Sequence, residues 1–211
     1  MKFWEEIKNR SSENVIDYYL DYKAYDKKFM YYDKELEQNV ALELKDFIVL
    51  KVGFILKGGW DNDNNCGLYS NEIDCFDINK EEFFLRSFKW WVILKWIYSD
   101  IKEELKSKQV NLHRTLTVLM DWKVMRIALK SKAMVEIGKL LDEVDINENK
   151  IELSEFEENK FGGKTYYVPL FKKWKKITTA ETTKAKELVE KLTTNEEEAK
   201  NNWPEDDDIP F

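Results

Sequence analysis

The chain holds one histidine, two cysteines, three prolines and seven glycines among 211 residues, and each scarcity removes a class of function. With His113 alone, a histidine-rich zinc site or a two-histidine iron site has too few ligands, and a Ser-His-Asp triad has a single candidate base. Cys66 and Cys75 lack a metal-like partner set and read as structural or incidental, reduced in a cytoplasmic chain. Gly58-Gly59 runs into Trp60-Asp61, without the Lys-Ser/Thr of a phosphate-binding loop. No charge-free apolar run approaches the roughly 20 residues of a membrane span. The longest candidate, Trp90-Trp91-Val92-Ile93-Leu94, is bracketed by Lys89 and Lys95. Met1 to Arg10 mixes acids and bases and does not read as a signal peptide. The expectation is a cytoplasmic protein that is not an enzyme, with no cofactor, no metal and no membrane partner. A metal-dependent nuclease built on Asp61, Asp63 and Glu72 ranks last, because Asp61-Asn62-Asp63-Asn64-Asn65 reads better as a turn-rich loop.

Charge, by contrast, is plentiful and unevenly placed. The formal net charge is −7, but residues 196–211 hold seven acids against Lys200 alone, so the rest of the chain is close to neutral. Residues 86–132 carry eleven Lys or Arg against four Asp or Glu. A positive segment beside an acidic tail suits a protein that holds a phosphate backbone, with its own tail as a weak competitor. An ordinary mixed-charge surface is the plainer alternative.

The apolar pattern is mostly that of strands. Val40 to Leu56 alternates in part, and shorter candidates lie at Leu68–Ile73 and Phe83–Ile97. Ser99, with Asp100, Glu103 and Glu104 after it, predicts an N-capped helix running to about Lys108. Thr115–Met120 and Lys123–Leu129 flank Asp121-Trp122 as a hairpin, Ser131 to Val144 predicts a helix, and Lys164–Phe171 a strand. Tyr-rich Glu13 to Glu37 reads as one or two helices. Strands, a helix and then a hairpin match the order of an OB barrel, a frequent carrier of single-stranded nucleic acid binding. The expected class is α+β, mainly β: an N-terminal helical extension (1–39), an OB-like domain (40–176), a Lys-rich helical arm (177–194) and a disordered acidic tail (195–211).

That tail ends on Asp206-Asp207-Asp208-Ile209-Pro210-Phe211. A terminal phenylalanine offers a ring for an apolar pocket and a carboxylate for an arginine or backbone nest. The acids ahead of it steer the tip toward a basic rim. This string resembles the C-terminal tip of the bacterial single-stranded DNA-binding (SSB) family. In the body, Gly59-Trp60, Tyr69-Ser70-Asn71-Glu72-Ile73, Ser87-Phe88-Lys89 and Ile97-Tyr98-Ser99-Asp100-Ile101-Lys102 are similar to phage and prophage proteins assigned to DNA replication or recombination. The resemblance implies binding of single-stranded DNA and recruitment, through Asp206 to Phe211, of replication, recombination and repair proteins that have pockets for such tips. A replication adaptor that borrows the tip without strong DNA affinity is the alternative. Self-association into a homo-oligomer stays open.

Phosphate contacts are expected from Lys57, Arg86, Lys89, Lys95, Arg114 and Arg126, and base stacking from Trp60, Tyr69, Phe88 and Tyr98. Any one of these aromatics taken singly reads equally well as core. Trp90, Trp91 and Trp96 are left out of the set, because the resemblance implies glycine in that stretch, and Trp122 stands where the local pattern suits glycine. Asp121-Trp122 in particular occupies the two central positions of a hairpin turn, where Asp-Gly is the common solution and φ > 0 strains a bulky residue. One reading is UGA-encoded glycine translated as tryptophan; others are genuine base-stacking tryptophans or deliberate substitution.

Overall fold

Alternation of large apolar and polar residues builds a sheet from nearly the whole body of the chain. The computed structural model describes residues 15–61, 66–74, 77–87 and 92–201. Nine strands form one mixed sheet: β1 (Tyr18–Lys23), β2 (Lys28–Asp33), β3 (Gln38–Leu42), β4 (Ile48–Asp61), β5 (Cys66–Ser70), β6 (Glu82–Ser87), β7 (Val92–Ile97), β8 (Asn111–Met120) and β9 (Lys123–Lys130). Their spatial order is β3-β2-β1-β9-β8-β4-β5-β6-β7. All neighbours are antiparallel except β1 and β9, which run parallel with Tyr18 beside Met125 and Asp21 beside Ala128. A separate hairpin pairs β10 (Asn149–Phe161) with β11 (Lys164–Lys176). Among the described residues there are three helices besides: α1 (Tyr98–Ser107), α2 (Ser131–Glu143) and α3 (Thr179–Asn201).

The two sheet faces are chemically distinct. On the first, Leu116, Val118, Met125, Ile127 and Leu129 pack under Ala133 and Ile137 of α2 and under Ile151 and Val168 of the hairpin. Further along that face, Phe54, Leu56, Phe83 and Leu85 pack under Ile101 and Leu105 of α1. The second face carries Thr115 and Thr117 of β8, Lys51 and Lys57 of β4, and Arg126 and Lys130 of β9, following the register of the paired strands. One end of it is apolar: Ile48, Leu119 and Val124 are covered by Leu188 and Leu192 of α3. A capping box starts that helix, with Glu181 accepting from the Thr178 backbone N–H and hydroxyl while Thr178 Oγ1 accepts from the Glu181 N–H.

Several sequence expectations need correction. The segment expected as an N-terminal helical extension is strands β1 to β3 from Tyr18 onward, and β1 sits inside the sheet rather than beside it. Its tight turns contain no glycine; Lys27 (φ 55°) and Glu37 (φ 52°) supply the left-handed positions, and Asp33 accepts from the Glu35 and Leu36 N–H groups. The class is α+β, mainly β, as expected, but no barrel closure is found: the sheet ends at β3 and β7, and no pairing joins these edges among the described residues. Ser99 does not cap α1; Ile97 is its N-cap residue, and the Ser99 hydroxyl donates to Asp100 instead. The Lys-rich run Lys172 to Lys176 belongs to β11, and helix α3 continues through Asn201 into the stretch expected to be disordered. Glu196 to Lys200 are good helix formers, which accounts for the extension.

Candidate nucleic-acid interface

The centre of the second sheet face is built around a buried carboxylate. Gly53 makes room for it: a Cβ there would lie 2.8 Å from Glu72 Cγ. Glu72 therefore lies across β4 and accepts a hydrogen bond from the Thr115 hydroxyl on β8. Its side chain, 8% exposed, meets Arg126 Nη2 at 2.9 Å and Lys51 Nζ at 3.5 Å. The Arg126 contact is a close ion pair without hydrogen-bond alignment. Lys51 also pairs with Asp74 at 2.7 Å, and Arg126 Nε donates to Thr117 Oγ1 at 3.4 Å. Two cations thus face two carboxylates, and the patch is electrically balanced. Tyr19, 54% exposed, sits beside it with the Arg126 guanidinium 5.9 Å from its ring.

Toward the opposite end from α3, Lys57, Tyr69 and Arg86 lie in register on adjacent strands β4, β5 and β6. The Arg86 guanidinium is 5.9 Å from the Tyr69 ring, and burial lowers its pKa from the usual arginine value. Lys57 Nζ pairs with Asp21 of β1 at 2.6 Å. Trp60 lies beyond a bulge in β4 and is half exposed. So Lys57, Tyr69, Arg86 and Arg126 share one face, as expected of a common surface.

Two other expected contacts, Arg114 and Tyr98, are not on that surface. Arg114 belongs to the first face, over the Phe54 ring at 4.9 Å and against α2, where Gly138 leaves the space that its guanidinium fills. Burial lowers its pKa, with Asp142 opposing. Arg114 is a packing residue between sheet and helix. Tyr98 packs its ring edge-on to Phe83 in the core beneath α1. Lys95 lies on β7 opposite Phe84, and its side chain falls outside the described set. Phe88, Lys89 and the tip residues Asp206, Asp207, Asp208, Ile209, Pro210 and Phe211 lie outside the described residues.

Sequence reasoning missed a cavity of about 620 Å³ at the Lys57 end of the sheet. It is walled by the ends of β1, β4, β8 and β9, the first turn of α2, and the tip of the β10–β11 hairpin. Two bonds dock the hairpin there: Tyr167 N–H donates to Ala24 O at 2.9 Å, and Tyr22 Oη donates to Tyr167 O at 3.0 Å. Burial pushes the Tyr22 phenol up to about 12, so it stays a donor at neutral pH. Gly162 and Gly163, both at positive φ, turn the hairpin and leave Phe161 at its tip 82% exposed. The cavity lysines come from four elements, so no run in the sequence announces them; the exposed aromatics Tyr25 and Phe161 were the available signal.

Among the described residues there is no group of three or more His, Cys, Asp or Glu placed to hold a metal ion, and no helix is long and apolar enough to cross a membrane. No protein-family model, curated protein or solved structure matches this chain.

Proposed function

We propose that the protein binds single-stranded DNA without catalysis and uses its terminal Asp206-to-Phe211 string to recruit replication, recombination and repair proteins. The observation that carries the reading is that string, an anionic run followed by Ile209-Pro210-Phe211, which resembles the tip of the SSB family. The body supports it through Lys57, Tyr69 and Arg86, aligned across three strands beside a lysine- and aromatic-lined cavity. Cations that track a backbone and aromatics that accept any base are the minimum for sequence-tolerant single-strand binding. An OB-type barrel is not needed for this chemistry, and a cytoplasmic setting fits the partners it implies.

One observation favours the adaptor alternative. Lys51 and Arg126 are balanced by Glu72 and Asp74, and Arg114 is turned into the packing beneath α2, which removes cations from the surface. The tail separates the readings. Phe211→Ala should abolish capture of a purified host protein that has an SSB-tail pocket, while leaving DNA affinity within about twofold. Deleting residues 202–211 should abolish capture too, and should hold or raise DNA affinity because an anionic competitor is gone. Undiminished capture by Phe211→Ala would show that the tip is not the recruiting element.

A further inference from the structure

The cavity brings together three chemistries that a nucleotide needs. Four lysines line it: Lys23 of β1, Lys57 of β4, Lys130 of β9 and Lys132 of α2. Lys57 is paired with Asp21, and Lys132 with Glu157 at 2.8 Å. Lys23 and Lys130 make no ion pair among the described residues, so their charge is available to an anion entering the cavity. Tyr25, 65% exposed, and Phe161 stand among the lining residues as uncovered rings. Tyr167 is less free, because Lys27 Nζ lies 3.8 Å from its ring centre.

The third element is a polar side chain among the lining residues. His113 lines the cavity and is only 9% exposed. Its Nδ1 lies 3.0 Å from the Asn111 carbonyl, which can only accept, so Nδ1 carries the proton. Burial lowers the imidazole pKa to about 4, so the ring is neutral at pH 7 and Nε2 is an acceptor. No described residue hydrogen-bonds to Nε2. A water-accessible acceptor beside uncovered rings suits a ligand that donates a proton from a flat, stackable group.

We propose that this cavity is a subsite for one nucleotide of a single DNA strand, its base held against Tyr25 and Phe161, a base N–H donated to His113 Nε2, and its phosphate held by Lys23 and Lys130. The assignment deepens the single-strand reading and rests on it. The volume, about 620 Å³, lies within the 300–1,000 Å³ or so of small-molecule sites. The cavity adjoins the Lys57–Tyr69–Arg86 row through Lys57, so neighbouring nucleotides of the strand continue onto the open sheet face. Arginine-free cation contacts and ring stacking give little base discrimination, whereas the single acceptor at His113 favours bases with a ring N–H, thymine and guanine.

Photocrosslinking of the full chain to an oligo-dT carrying 5-iododeoxyuridine, with the modified peptides mapped by mass spectrometry, tests the site without a mutation. The expected adducts fall on Tyr25 and on the peptide that contains Phe161. Adducts confined to Tyr19, Trp60 or Tyr69 would place the strand on the sheet face alone and overturn the subsite. In parallel, Lys130→Glu and Phe161→Ala should each weaken oligo-dT binding by about tenfold at low salt. Unchanged affinity in both would overturn the subsite while leaving single-strand binding intact. An unmodified chain that fails to bind oligo-dT at all would overturn the subsite together with the function it serves. N3-methylation of the thymines removes the donor to His113 and should cost about fivefold; equal affinity would overturn the His113 contact.

Discussion

The centre and the Lys57 end of one sheet face contain similar residues and are suited to different work. At the centre, Lys51 and Arg126 converge on Glu72, and the carboxylate is nearly covered by the cations it neutralises. At the end, Lys23 and Lys130 line an open cavity without a carboxylate partner, beside exposed rings. A count of basic residues treats the two regions alike. The structure separates them by how much cationic charge is already balanced. A closed ion-pair cluster holds strands in place, since breaking a buried pair leaves an uncompensated charge, whereas unpaired lysines at a cavity are free to displace counterions from a phosphate.

The largest expected effect comes from abolishing the central balance. Glu72→Gln removes the shared counter-charge of Lys51 and Arg126, and should lower unfolding stability by about 3 kcal/mol, measured by urea denaturation. The same change should raise oligo-dT affinity at low salt, because the face loses one of the two carboxylates that offset Lys51 and Arg126. A variant as stable as the parent would mean that the cluster is no more structural than the cavity end.

A smaller effect is expected where α3 covers the far end of that face. Lys150, 9% exposed, bridges Asp46 at 3.0 Å and Glu181 at 2.5 Å. Desolvation opposes ionisation of Glu181, but Lys150 and the Thr178 donors outweigh it and bring the pKa down to about 2. A depressed carboxylate pKa stabilises the fold above the unfolded value, near pH 4.5, and the contribution is lost as pH falls toward 2. Glu181→Gln should therefore cost about 1–2 kcal/mol at pH 7 and progressively less below pH 4. DNA affinity should not change, since neither Lys150 nor Glu181 lines the cavity. A constant loss across that pH range would contradict the assignment.

The smallest effect lies outside both regions. Asp121 and Trp122 have φ of 50° and 65°, the two left-handed positions of a tight hairpin turn, and the Trp122 ring is 65% exposed. Trp122→Gly should stabilise the protein by about 1 kcal/mol and leave DNA affinity alone. If affinity fell with it, Trp122 would be a base contact and the functional surface would extend around the β8–β9 turn.

That turn was legible before the fold was known, because Asp-Trp interrupts two runs of alternating residues. The β8–β9 hairpin and helix α2 were legible for the same reason, their periodicity being strong and local. Strands β1 to β3 were not, since Lys27 and Glu37 make turns that glycine usually marks, and closely spaced charges disguised the alternation. Strand β10 was not expected, since Glu152, Glu155, Glu157 and Glu158 leave few apolar residues to alternate before β11 is paired against it. Of the expected contacts, Lys57, Tyr69, Arg86 and Arg126 share a face because strand register brings them there. Arg114 departs because strand parity points it the other way, and parity is unreadable without the register of β4 and β9. The cavity depends on the parallel pairing of β1 with β9, which links residues about a hundred positions apart.

The most direct test of the account is fluorescence anisotropy of a labelled oligo-dT titrated with residues 1–201 at two salt concentrations. Binding at least as tight as that of the full chain, weakening steeply as salt rises, is the predicted result, since lysine contacts to phosphate release counterions. Absence of binding at low salt would contradict it, and would leave recruitment through Phe211 as the work of the chain.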